Sequence, residues 1–132
     1  MLYRWIARRQ VEAAWRNLSG RDLDKLPLAD DMHFSFAGDH ALAAELSSAA
    51  DVRTWVAALF ERLPGLRFEP HEIVVDGPPW NTRVVSLYTA MLRDQPAYRG
   101  SHFVRMRWGR VIDERVLPDT QAVAKLAPID NA

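Results

Sequence analysis

The sequence predicts an α+β fold: N-terminal helices packed on a curved, mainly antiparallel sheet, forming a cone with an apolar pocket. Three observations carry this expectation. Two segments before Pro64 repeat apolar side chains at three- and four-residue steps, the runs after Gly65 are long and strand-like, and Gly- or Pro-containing breaks separate most of those runs. A chain of 132 residues, 48% of them hydrophobic, has the length and apolar content for one cored domain, read as residues 1–132.

The first helix is expected from Leu2 to Leu18, where Leu2, Trp5, Ile6, Val11, Ala14, Trp15 and Leu18 form the apolar stripe and Arg8, Arg9, Glu12 and Arg16 lie largely elsewhere. Ser19-Gly20 ends it, with Gly20 as the left-handed cap. Arg21 to Leu28 reads as a short second helix begun by Asp22 and disturbed by Pro27. Met32 to Phe36 alternates His33 and Ser35 with Phe34 and Phe36, as on a strand with one buried face. Ala37 to Ala50 is expected as loop. Asp51 then stands as N-cap of a helix whose stripe is Val52, Trp55, Val56, Leu59, Phe60 and Leu63, and Pro64-Gly65 stops it.

Four long strands follow in the pattern, Leu66 to Asp76, Trp80 to Leu92, Tyr98 to Trp108 and Arg110 to Leu117, arranged as a meander. Asp119 precedes a short closing helix, Thr120 to Leu126. The sheet face that the helices leave uncovered calls for a polar surface or a partner, and a homodimer through the sheet is the expected remedy.

Charge and composition narrow the function classes. Seventeen basic residues, fifteen of them Arg, balance seventeen acidic ones, so no net field recruits nucleic acid. The chain has no Cys, hence no disulfide framework, thiolate metal site or cysteine nucleophile. No apolar run has the length of a membrane span, and the expected location is the cytoplasm. Phosphate-cradling glycine loops and the Gly-x-Ser-x-Gly elbow are missing, and the histidines offer no metal-ligand spacing. Neither a cofactor nor a metal is expected.

The order of elements, with Leu28-Ala29-Asp30-Asp31, Phe36-Ala37-Gly38-Asp39-His40, Gly77-Pro78-Pro79-Trp80-Asn81-Thr82 and Arg107-Trp108-Gly109-Arg110-Val111, resembles the SnoaL-like branch of the nuclear transport factor 2-like superfamily. That resemblance spans nearly the whole chain. It implies a cone-shaped α+β fold with an apolar pocket, in a superfamily that holds steroid isomerases, polyketide cyclases and limonene epoxide hydrolase beside many non-enzymes. Fold alone does not choose among them.

The polyketide cyclase branch places a general acid/base Asp near the end of the last strand. Asp113-Glu114-Arg115-Val116-Leu117-Pro118-Asp119-Thr120 is similar to that segment, and the resemblance puts Asp119 in the catalytic place. Desolvation at the mouth of an apolar cavity would suit such a carboxylate to proton transfer, whereas a plain helix cap is its other reading. Arg105 is the expected partner for a substrate carboxylate or enolate, and His102 the second acid/base candidate. Alternation puts Ser101, Phe103 and Arg105 on one face and His102, Val104, Met106 and Trp108 on the other, the inner face depending on the turn at Trp108-Gly109-Arg110. Trp55, Trp80, Tyr88 and Phe103 are candidate pocket walls, with Asn81 adding a polar group.

Steroid-isomerase machinery does not fit, because the strand position of its base falls near Phe36 and its Tyr position near Ala14 or Trp15. The expected function is a cofactor-independent isomerase, cyclase or lyase acting on an apolar carbonyl compound by Asp119 acid–base chemistry. A non-catalytic ligand-binding or dimerisation module is the alternative, and an epoxide hydrolase built on Asp119, Arg105, Asn81 and Tyr88 a minor one.

Overall fold

Apolar stripes on two helices leave only one way to bury both, and in the computed structural model, which describes residues 2–129, they lie against a single sheet. Residue 1 and residues 130–132 of the expected domain fall outside that description. Helix α1 (Leu2–Ser19) buries Ala7 and Trp15 and packs along strand β3 (Leu66–Asp76). Helix α2 (Ala49–Arg62) buries Val52, Val56, Leu59 and Phe60 and packs on strand β1 (Leu28–Phe36). Strands β2 (Ala44–Leu46), β4 (Thr82–Leu92), β5 (Gln95–Arg107) and β6 (Arg110–Pro118) complete an open six-stranded sheet in the order β2-β1-β6-β5-β4-β3, and helix α3 (Thr120–Leu126) closes the chain. The sheet is mixed, since β1 runs parallel to β6 while all other neighbours are antiparallel. No described helix is long and apolar enough to cross a membrane.

Several local expectations shift by a few residues for identifiable reasons. The left-handed residue after α1 is Arg21 (φ 63°) rather than Gly20. Arg21 is held there because its guanidinium donates to Ser19 O and Leu66 O, 2.7 Å each, and lies 3.8 Å over the Phe60 ring. The short second helix contracts to a single 3₁₀ turn, Leu23–Lys25, and Leu28 already opens β1. Ser48, not Asp51, caps α2: its Oγ accepts from the Asp51 N–H at 3.1 Å, and the cap lies three residues before the acidic signal. The stretch read as loop contains β2, whose three residues pair with Phe34 to Phe36.

Two tight hairpins fix the register that positions the site. Arg93-Asp94 joins β4 to β5 and Trp108-Gly109 joins β5 to β6, all four residues at positive φ as a two-residue primed turn demands. Arg107 therefore pairs with Arg110 and Met106 with Val111, but Arg105 pairs with Asp113. One extra residue, Ile112, is absorbed by a bulge, so Val111 and Glu114 face the same side of the sheet although they are three apart.

Candidate functional site

The inner face of the sheet and the apolar stripes of α1 and α2 do not meet completely. They leave a cavity of about 120 Å³ walled by Trp15 of α1, Trp55 of α2, Phe34 and Phe36 of β1, Phe68 of β3 and the inward side chains of β4 to β6. The aromatic walls brace one another: Trp55 lies 5.0 Å from Phe34 and 5.1 Å from Phe36, and Trp15 lies 5.2 Å from Tyr88. Trp15 is held by its indole N–H, which donates to Ser86 Oγ at 3.3 Å.

Polar side chains enter this lining at few points. Strand β5 turns Tyr98, Gly100, His102, Val104 and Met106 inward, and β6, after its bulge, presents Glu114 and Val116. Glu114 stands opposite Val104 and diagonal to His102, within reach of a long side chain. His102 Nε2 and Glu114 Oε1 share a short hydrogen bond. Both side chains are largely withdrawn from water, at 17% and 15% exposure, and the Trp15 ring sits 5.1 Å from the imidazole. A carboxylate on one ring nitrogen fixes the orientation of the imidazole, and Nδ1 has no partner among the described residues. An imidazole so placed can take a proton from a bound molecule and return it.

Tyr88 and Tyr98 add two phenols to the same wall, their rings 6.2 Å apart and edge to face. Burial pushes the Tyr88 phenol up, aided by Tyr98 and by the charge of Glu114. Burial also pushes Tyr98 up to about 12, with the Tyr88 hydroxyl pulling slightly the other way. Both therefore remain protonated donors at neutral pH.

The residues singled out from the sequence divide sharply. His102, Trp55 and Tyr88 line the cavity. Asp119 does not: it is exposed beyond the end of β6, where Oδ1 accepts from the Ala122 N–H at 3.1 Å and caps α3. Arg105 and Phe103 point from the opposite face of β5, because the two-residue turn at Trp108-Gly109 selects the His102 face as the inner one. Trp80 is 56% exposed and stacks on Trp108 at 6.0 Å outside the cavity, and Asn81 is exposed in the adjoining turn. Glu114 and Tyr98 were not among the sequence candidates. Simple alternation from Val111 puts Glu114 on the outer face, and only the bulge brings it in. Tyr98 carried a findable signal, since it lies four residues before His102 and shares its face.

The family model for the SnoaL-like domain matches residues 8–114. The chain belongs to the SnoaL-like domain family. Among solved structures it is similar to Bal32a from a soil-derived mobile gene cassette, at 13% identity and a TM-score of 0.76 over 92% of this chain and 95% of that one. It is also similar to an NTF2-like protein of unknown function from Burkholderia pseudomallei K96243, at 17% identity and a TM-score of 0.75 over 93% and 98% of the two chains. A third similar structure is TerC co-crystallised with polyporic acid, at 19% identity and a TM-score of 0.71 over 91% and 96%. At these identities the likeness concerns the fold alone. No curated protein matches the sequence.

Proposed function

We propose that this SnoaL-like protein is a cofactor-independent acid–base catalyst of the isomerase or cyclase type, acting on a small apolar carbonyl compound. The observation that carries the reading is the His102–Glu114 pair in the wall of an otherwise mainly apolar cavity. Paired polar groups facing an aromatic hollow orient and desolvate a substrate as well as react with it. The ligand held by TerC, a similar fold, is in keeping with use of the pocket for small molecules.

In this reading the imidazole of His102 takes a proton from a carbon next to the substrate carbonyl, and the C–H electron pair moves into the carbonyl to give an enolate. Glu114 steadies the imidazolium so formed. Return of the proton to another atom of the same molecule completes an isomerisation; attack of the enolate carbon on a second carbonyl of that molecule, whose π electrons move to its oxygen, followed by return of the proton from His102 to that alkoxide, completes a cyclisation. Asp119 has no part in this step, since its carboxylate is engaged at the surface with α3.

The test needs no natural substrate. The α-protons of cyclohexanone in D₂O should exchange faster with the protein than without it, followed by proton NMR, and His102→Gln should remove the acceleration while circular dichroism reports an intact fold. An unaccelerated exchange with the wild-type protein sinks the catalytic reading and leaves a binding module.

A homodimer through the outer sheet face belongs to the same proposal. Val74, Val85 and Phe103 lie in register across β3, β4 and β5, and Leu87, Ser101 and Leu117 across β4, β5 and β6. Val74 is 52% exposed, Leu87 45% and Leu117 56%, within a rim of Glu72, Arg83, Arg105 and Arg115. A row of mixed charge around an apolar centre is suited to pairing with a second copy about a twofold axis. Sedimentation velocity should find a dimer that Leu87→Arg splits.

A further inference from the structure

A buried phenol without a partner is costly, and the fold contains one. Tyr98 is 4% exposed, and its Oη is the only buried side-chain polar atom among the described residues that lacks a hydrogen-bond partner. A phenylalanine would pack the same ring without that cost. The hydroxyl belongs to a side chain that lines the cavity, on the same strand face as His102 and four residues before it.

The residue between them is Gly100. It stands opposite Tyr88 across the β4–β5 ladder, and a Cβ there would lie 2.8 Å from Tyr88 Oη and 2.9 Å from its Cζ. The missing side chain makes room for Tyr88 over bare backbone, in the interval between the Tyr98 donor and the His102 base. Along a strand that interval spans about 13 Å between Cα atoms.

We infer that Tyr98 is the hydrogen-bond donor that holds the carbonyl oxygen of the ligand, and that the ligand is an uncharged molecule of about one six-membered ring. The size follows from the volume: about 120 Å³ is slightly below the roughly 150 Å³ of an apolar cavity that admits benzene, and far from enough for a fused polycycle. The neutrality follows from the lining, where the ionisable pair His102–Glu114 is already engaged with itself and no arginine or lysine is available to an anion. The carbonyl follows from Tyr98, a donor awaiting an acceptor. The assignment rests on the acid–base reading for its catalytic consequence, because a donor on the carbonyl oxygen stabilises the enolate that His102 generates, but the binding role stands on Tyr98 itself.

Cyclohexanone and methylenecyclohexane, nearly equal in shape and differing in the acceptor oxygen, separate these claims when titrated by amide NMR shifts. The wild-type protein should prefer the ketone by about five- to tenfold beyond the preference its partition from water explains. Tyr98→Phe should erase the preference and leave the hydrocarbon affinity unchanged, while His102→Gln should keep the preference and lose only the proton exchange. A preference that survives Tyr98→Phe overturns the assignment, as does failure of both probes to bind. Loss of the preference in Tyr98→Phe together with no exchange in the wild type sinks the catalytic reading and supports the assignment of Tyr98. Androst-4-ene-3,17-dione should not compete with cyclohexanone, and competition by this steroid would overturn the size limit.

Discussion

Strand β5 carries two different surfaces on alternate residues. Tyr98, His102, Val104 and Met106 face a mainly apolar cavity, whereas Ser101, Phe103 and Arg105 stand on the outer face beside Arg83, Asp113 and Arg115. Residues one position apart in sequence therefore live in different solvents. On the inner face His102 meets a partly buried carboxylate and Tyr98 is pushed up by desolvation. The outer charges sit in water, where ion pairs such as Arg115–Asp113 at 3.4 Å contribute little. The chemical potential of a side chain here is set by which face it occupies more than by its type.

The largest expected effect tests that contrast directly. His102→Gln should slow ketone α-proton exchange by about 10² to 10⁴, the usual worth of a positioned acid/base, whereas Arg105→Gln and Asp119→Asn should leave the rate within about twofold. Exchange rates by NMR for the three variants decide it. Equal losses would mean that the two faces are not chemically distinct.

Alkaline pH should break the inner face first. Tyr98 titrates near 10 in the unfolded chain and at about 12 in the folded one, so its contribution is full below pH 10 and is lost as the pH rises through 12. The raised Tyr88 acts in the same direction. Urea midpoints measured from pH 9 to 12 should fall by an amount corresponding to about 2–3 kcal/mol from Tyr98 alone, and Tyr98→Phe should flatten part of that fall.

Filling the gap on the same face is a smaller perturbation. Gly100→Ala meets the Tyr88 ring at under 3 Å without a backbone penalty from left-handed φ, and should cost about 1–3 kcal/mol in urea unfolding while weakening cyclohexanone binding. The smallest effect belongs to the surface. Asp119→Ala should cost about 1 kcal/mol through loss of the α3 cap, and Asn should recover most of it, as expected of a cap and not of a proton carrier.

Much of the scaffold was legible because burial writes a period into the sequence. The stripe of α2, the Trp15 half of the α1 stripe and the full span of β3 follow from it, whereas Leu2, Trp5 and Ile6 of the expected α1 stripe are exposed; the hairpin breaks lie within a few residues of their places. What escaped involves pairings and insertions that no local period records. The parallel partnership of β1 and β6 pairs residues eighty or more apart, and β2 is too short to alternate visibly. The site was half legible. His102, Trp55 and Tyr88 stood among the candidates, but the choice between His102 and Arg105 needed the hairpin register. Glu114 was hidden by the single extra residue at Ile112. Asp119 drew attention through a family-like segment, and its place beyond the sheet gives it to α3 instead.

The parallel seam between β1 and β6 has a consequence for biosynthesis. Phe34 lies in register with Glu114, and Phe36 with Val116, so one wall of the hollow unites two pieces of the nascent polypeptide about eighty residues apart. Emerging from the ribosome, β1 can find only the short β2 beside it, and its other edge stays bare until β6 has been translated. The wall of the cavity thus cannot close before β6 is made, and truncation before β6 would remove Glu114 and the edge that β1 requires together.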